Sequence, residues 1–321
     1  MSVSRILVGI LVALVSFNSY SQTWPTKPVK FIVPYPPGGT VDPLARLLGG
    51  KLQESLGQPM VIENRPGAGG LVGTGAAAKA APDGYTFLFV FDNHAVNPAL
   101  VANVPFDTLK DFAPVMLVGT APYAIAAHPS RPFRSFAEVV QAAKAKPDAI
   151  SIGSIGNGTL AHLTIALAQQ AGGFRINHIP YKGGGPMTQD LIGGQVDLGI
   201  GSAALLTPHV RSGKVRAMAT TGEKRAHTLP DVPTLIEQGI PGVTVYAWWG
   251  VLAPAGTPKP ILDRFHSELQ KALNLPDVRK TLTETMGMEL IVSSPEVLQK
   301  WIVTEMQRWG KVVKDNNIRA D

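Results

Sequence analysis

The residue types best suited to chemistry stand in Pro34-Tyr35-Pro36-Pro37-Gly38-Gly39-Thr40-Val41-Asp42. An apolar run over 29–33 precedes this stretch and reads as a buried strand. Leu44-Ala45-Arg46-Leu47-Leu48 follows and reads as the first turns of a helix. A strand, a Pro/Gly turn and a helix start thus fall within a few residues. Gly38 and Gly39 let a ligand approach the backbone, because no Cβ intervenes. The new helix aims unpaired N–H groups and its positive dipole end at whatever sits there. Such a turn is a seat for a small anion, usually a carboxylate or phosphate. Asp42 has a competing role as a helix N-cap.

Further strand ends carry the same equipment. Asn64-Arg65-Pro66-Gly67-Ala68-Gly69-Gly70 is one, and the polar Asp92-Asn93-His94-Ala95-Val96-Asn97 is another. Ser154-Ile155-Gly156-Asn157-Gly158-Thr159, Tyr181-Lys182-Gly183-Gly184-Gly185 and Gly199-Ile200-Gly201-Ser202 complete the set. Each loop alone reads as a tight turn. Together, on one side of the predicted sheets, they point to anion binding.

Catalytic motifs are missing. Ser154 has Ile152 where a nucleophile elbow needs glycine, and Val72 breaks the dinucleotide-binding glycine pattern at 67–72. No phosphate-binding Gly-Lys-Ser/Thr loop and no His-Glu-x-x-His exists. The seven histidines are isolated, without metal-ligand spacing to acids. His162 and His178 read as structural. No metal and no cofactor is expected.

The elements that must hold these loops alternate. Strands over 29–35, 61–64 and 85–91 enclose helices over 42–56 and 70–81. A second block repeats the rhythm, with strands over 149–154, 177–181, 197–202 and 215–220 between helices over 135–146, 159–171, 186–192 and 205–212. Short apolar strands alternating with helices imply α/β architecture with mostly parallel sheets. Segments beyond 243 hold too few strands for a sheet of their own, so they return to the first block. Two long apolar runs, 115–127 and 243–253, then carry the chain out and back. The expected form is two α/β lobes joined by a two-strand hinge. Lobe 1 is 22–122 plus 246–321, lobe 2 is 123–245, and a cleft lies at the strands' carboxyl ends.

The first residues read as an export signal. Arg5 is the only charge before residue 22, residues 6–17 are almost wholly apolar, and Ser19-Tyr20-Ser21 supplies small residues for cleavage after about Ser21. The run is shorter than the ~20 residues of a membrane span. Zero cysteines exclude disulfides and a lipid-modified N-terminal cysteine. The net charge of +6 falls to +5 without Arg5, and basic residues are scattered, which argues against nucleic acid. A mildly positive field suits anionic solutes.

As a set, these loops resemble the Bug-type, TctC-like solute-binding proteins of tripartite tricarboxylate transporters. The matching segments are 33–46, 61–70, 81–86, 153–162, 179–183 with 190–197, 229–234 and 249–258. The resemblance runs from about Pro25 to the C-terminus. It implies a two-lobe periplasmic-binding-protein fold, a receptor likened to a Venus flytrap that closes on a carboxylate and delivers it to membrane permease subunits. It implies a monomer and no enzyme activity. Residue by residue it points to Gly38, Gly39 and Asp42 in the first loop, and to Gly67 and Ala68 in the second. From the other lobe it points to Ser154, Thr159, Ala161, Tyr181, Lys182, Asp197 and Ser202, with a structural role as the alternative for Asp197 and a solvated place on the rim as the alternative for Lys182. The third loop, Asp92-Asn93-His94, is the expected specificity element, with His94 as a donor to the distal end of the ligand, which is an aromatic dicarboxylate, an aliphatic di- or tricarboxylate or an uncharged small molecule. A periplasmic sensor that presents the ligand to a signalling partner would use the same cleft. An exported hydrolase is the third reading.

Overall fold

The computed structural model describes residues 24–316 and 318. The export signal and its cleavage point lie outside the described residues. Among these, no helix is long and apolar enough to cross a membrane.

The first lobe is built as its sequence pattern dictates. Strands β1 (Val29–Val33), β2 (Met60–Asn64) and β3 (Thr86–Phe91) are parallel, with β1 between the others. Helix α1 (Val41–Leu56) sets Leu44, Leu48 and Leu52 on one face at intervals of four, and all three are fully buried. Burying each contributes roughly 1.5–3 kcal/mol. Gly57, at φ 70°, ends the helix in the left-handed conformation. Beneath it Phe87 stacks on Phe265 at 3.6 Å, with Phe31 edge-on to both. Two further helices follow their strands: α2 (Leu71–Ala78) after β2 and α3 (Asn93–Leu100) after β3. The segment expected as a polar loop is therefore the start of α3.

The chain then enters β4 (Phe112–Ala127), a nearly continuous buried strand. Its first part pairs antiparallel with β9 (Tyr246–Pro254), which also pairs antiparallel with β3. Its last part, from Tyr123, pairs with β7 (Leu198–Ser202) and β8 (Arg216–Thr220). The second lobe adds α4 (Phe136–Ala145), β5 (Ser151–Ser154), α5 (Leu160–Gly172), β6 (Asn177–Pro180), α6 (Gly184–Ile192) and α7 (Ala203–Arg211). Strand β5 runs parallel to β6 and β7. The sheet order is β2-β1-β3-β9-β4-β7-β5-β6. Each lobe is thus parallel where α/β alternation was read, and the two crossing strands between them are antiparallel.

Helices α8 (Lys259–Asn274), α9 (Pro276–Lys280) and α10 (Pro295–Asp315), with the two-residue β10 (Glu289–Leu290), return to the first lobe's side. Helix α10 packs on α3 and β4. Where the chain crosses, Thr221 ties the two passages together. Its Oγ1 accepts from the Tyr123 amide at 2.9 Å and donates to the Val245 carbonyl at 2.6 Å.

Candidate functional site

Six βα units, three from each lobe, deliver their helix starts to one cleft. Lining residues come from the starts of α1, α2, α3, α5, α6 and α7, and the cavity encloses about 870 Å³. Its wall is formed by backbone, small hydroxyls and amides, together with Tyr35, Leu71, Phe91, Leu100, Ile155 and Leu205. Lys182 is its formally charged side chain, and it lies exposed at the rim.

The first loop is held rigidly from behind. Trp249 Nε1 donates to Thr40 Oγ1 at 3.1 Å, fixing the residue that precedes α1. Asp42 accepts Arg46 Nε at both oxygens, at 3.1 and 3.0 Å, and Asn64 Nδ2 at 2.9 Å. Asn64 Nδ2 also reaches the Tyr35 carbonyl at 3.1 Å. Asp42 therefore braces the loop against β2 and does not line the cavity. Gly39 does, and a Cβ there would meet open space.

The second loop turns sharply. Gly67 has φ 137°, and a Cβ there would stand 2.8 Å from Val72 Cγ2. Ala68 sits at φ 47°, a region that favours glycine, so the backbone is strained where it lines the cavity. Asn97 Nδ2 donates to the Gly69 carbonyl at 3.2 Å, and Asn93 Nδ2 reaches it at 3.4 Å. Asn93 Oδ1 accepts the Leu160 amide of the other lobe at 3.4 Å.

In the second lobe Thr159 caps α5, accepting from His162 N at 3.4 Å and donating to the Gly156 carbonyl at 2.7 Å. Ser202 caps α7 through Leu205 N at 3.3 Å. Tyr181 Oη donates to Asp190 at 2.8 Å; desolvation, then that carboxylate, pushes its pKa up to about 12. Burial, then Asp92, raises the Tyr35 hydroxyl further. Both phenols stay neutral.

Of the residues expected at the site, Gly39, Gly67, Ala68, Thr159, Tyr181, Lys182 and Ser202 line the cavity. Gly38 lies instead at the seam between lobes, where a Cβ would meet Gly185 Cα at 3.3 Å. Ala161 and Ser154 are fully buried behind the wall. Ser154 Oγ meets His178 Nε2 at 2.7 Å, and His178 stacks on His162 at 4.3 Å. This Ser–His contact is not a nucleophile pair: the hydroxyl is inaccessible, and it also donates to the Gly156 carbonyl at 3.2 Å. It holds the 154–159 loop from beneath.

Besides Gly38, Asp42, Ser154 and Ala161, two further expectations are corrected. His94 turns from the cleft into apolar packing, stacked on Phe106 at 6.1 Å and edge-on to Phe112 at 5.4 Å. Helix α3 starts one residue before it, so Asn93 and Asn97, one turn apart, take the cleft face and His94 the core face. Burial lowers the His94 pKa to about 4, only partly offset by the Thr108 backbone. Asp197 lies just before β7, whose far end carries Ser202. Four to five strand residues span roughly 16 Å. Asp197 accepts the Ser151 amide and hydroxyl, both at 2.7 Å, and pairs with Arg131 at 2.9 Å. Its role is structural.

Tyr35, Thr40, Asn93, Asn97 and Asn157, which stood in the candidate loops without being singled out as contacts, also line the cavity, and Leu205 was missed. The Asn93/Asn97 spacing was the available signal.

Comparison with known proteins agrees in family and fold. The family described as "Tripartite tricarboxylate transporter family receptor" matches residues 44–318. Protein BugT of Bordetella pertussis is 36% identical over 325 residues, covering 99% of each chain. The periplasmic binding protein BugD superposes with a TM-score of 0.88 at 36% identity, covering 92% of this chain and 99% of its own. The Rhodopseudomonas relative described as "R. palustris Rpa4515 with adipate" gives 0.88 at 34% identity, covering 92% and 99%.

Proposed function

The chain belongs to the tripartite tricarboxylate transporter receptor family, and from that premise we propose that it captures a small carboxylate in the cleft between its lobes. One observation carries this reading: six helix starts from both lobes converge on a cavity that, among the described residues, no arginine lines. Each start contributes N–H donors and about half a positive charge. A carboxylate is stabilised there by hydrogen bonds to fixed amides. The relative described with adipate supports the ligand class.

Gly39, Thr40, Gly67 and Ala68 receive the first carboxylate. Thr159, Tyr181, Lys182 and Ser202 meet the rest of the ligand from the other lobe. The ligand stabilises the closed form because both lobes contact it. Lobe boundaries at 22–122 plus 246–321 and at 123–245 fit the pairing switch in β4 at Tyr123. The mature chain, cleaved after about Ser21, works as a monomer in the periplasm. Its closed form docks on the membrane permease subunits of the transporter.

A thermal-shift screen of mature protein against mono-, di- and tricarboxylates tests the reading. Ligand that binds only the native state raises the midpoint by mass action, by about 2.7 kcal/mol of added stability at a hundredfold excess over Kd. At least one carboxylate should raise it saturably. Shifts from uncharged solutes alone would refute the carboxylate assignment.

A further inference from the structure

We propose that the stacked rings of His162 and His178 position the 154–159 loop of the cleft only while both are neutral, so that a proton on the pair loosens the receptor's hold on its ligand. This inference rests on the carboxylate reading above and adds a control by pH. Residues 155–159 all line the cavity, and two imidazoles hold that stretch from beneath. His162, in the first turn of α5, accepts the Gly158 amide at Nδ1 at 3.2 Å. His178, on β6, meets Ser154 Oγ at 2.7 Å, and that hydroxyl lies 3.2 Å from both the amide and the carbonyl of Gly156. The two rings lie 4.3 Å apart and within 13° of parallel. His162 and His178 are thus positioning residues: they act on the ligand through the loop.

A ring nitrogen that accepts an N–H carries no proton of its own. A proton added to His162 Nδ1 sets two donors against each other, and Gly158 loses its acceptor. A proton on His178 places a cation against the first turn of α5, whose dipole end is positive, and against a second ring that repels it once charged. Partial burial of both rings adds to the cost of charge. Burial first, then His162, lowers the His178 pKa to about 4. Rings this close titrate as a pair. Among the described residues, β5, α5 and β6 carry no further charged side chain. The charged groups that flank them are committed: Asp190 of α6 to Tyr181, Asp197 before β7 to Arg131, and Arg175 before β6 to Asp148 at 2.7 Å. Lys182, after β6, is exposed at the rim. Bound ligand contacts the loop and favours its held form, so binding and protonation oppose each other. By linkage the ligand lowers the pair's proton affinity by the factor by which the proton lowers the ligand's. Affinity is full at neutral pH and falls as pH drops through the pair's titration.

The ligand's own carboxyls also protonate in acid, so the test compares two chains with one ligand. Adipate, or the best carboxylate of the thermal screen, is titrated by calorimetry into the native mature chain and into a His162→Asn, His178→Gln double variant, at about pH 7.5 and about pH 5. Asparagine offers Oδ1 where Nδ1 stood, glutamine offers a polar end to Ser154, and neither titrates. The readout is the ratio of the two Kd values within each chain. That ratio should be larger in the native chain by about threefold or more. Equal ratios overturn the inference and leave the carboxylate reading standing. If the native chain binds no carboxylate even at neutral pH, both fail. A second arm needs no variant and decides the matter if the double variant does not fold. An NMR titration of the His162 and His178 ring protons in the labelled native chain should show the pair's midpoint falling when ligand saturates the cleft. A midpoint that stays in place or rises contradicts the linkage.

Discussion

Gly185, in the first turn of α6, lies so close to Pro37 that a Cβ built on it would stand 3.0 Å from the Pro37 carbonyl oxygen. The two residues belong to opposite lobes. Gly183 is tighter still, with a Cβ reaching 2.6 Å from Pro36 Cγ. The lobes therefore close backbone to backbone along a seam of glycine and proline.

That seam separates closure from folding. Gly185 has no left-handed φ, so alanine fits its helix and favours it by about 0.5–1 kcal/mol. Gly185→Ala should leave the unliganded thermal midpoint equal or slightly raised while weakening ligand about tenfold. Gly310→Ala, a helical site with open space around it, controls for propensity and should not change affinity. Equal affinity in Gly185→Ala would remove the seam from the closing motion.

His94→Phe should leave ligand affinity within about twofold and improve acid stability. His94 is neutral in the folded chain, with its pKa lowered to about 4 against an ordinary 6.5. Its stability contribution is present above pH 6.5 and is lost as pH falls towards 4, by roughly 3 kcal/mol in all. Phenylalanine keeps the packing on Phe106 and Phe112 and does not titrate. Urea unfolding between pH 4 and 7 should show a flatter acid limb in the variant; an unchanged limb would mean that His94 titrates normally.

The Asp92–Tyr123 contact gives the opposite sign. Burial raises the Asp92 pKa, so its contribution is full below the unfolded value of about 3.9 and is lost as pH rises through the folded one. Asn at 92 keeps an oxygen for the Tyr123 hydroxyl and cannot ionise. The thermal midpoint of the native chain should drop relative to Asp92→Asn between pH 4.5 and 7, by about 2–4 °C per kcal/mol. Parallel midpoints across that range would contradict the buried neutral carboxyl.

Local signals made much of this molecule legible. The strand-turn-helix units at 29–56 and 149–171 could be read because apolar strands, turn residues and helix periodicity all fall within short windows. Gly39, Gly67 and Thr159 were found because each sits where a strand gives way to a helix. His94 was misread because a polar residue after a strand suggests a loop, whereas α3 begins at once and is pinned by α10. Asp197 precedes its strand, so the rule that ligands meet carboxyl ends argued against it. The antiparallel β4–β9 core joins residues more than a hundred positions apart, a pairing that no local pattern encodes. The bond from Asn93 to Leu160 spans lobes and is invisible for the same reason.

The central claim is that a carboxylate, read by fixed amides, drives binding. Calorimetry of the mature chain with the best carboxylate of the screen, beginning with adipate, and with its amide of the same skeleton tests this most directly. The expected result is one equivalent of carboxylate bound, with the amide weaker by about a hundredfold or more, since the N–H donors lose a charged acceptor. Equal affinity for the amide would contradict the account.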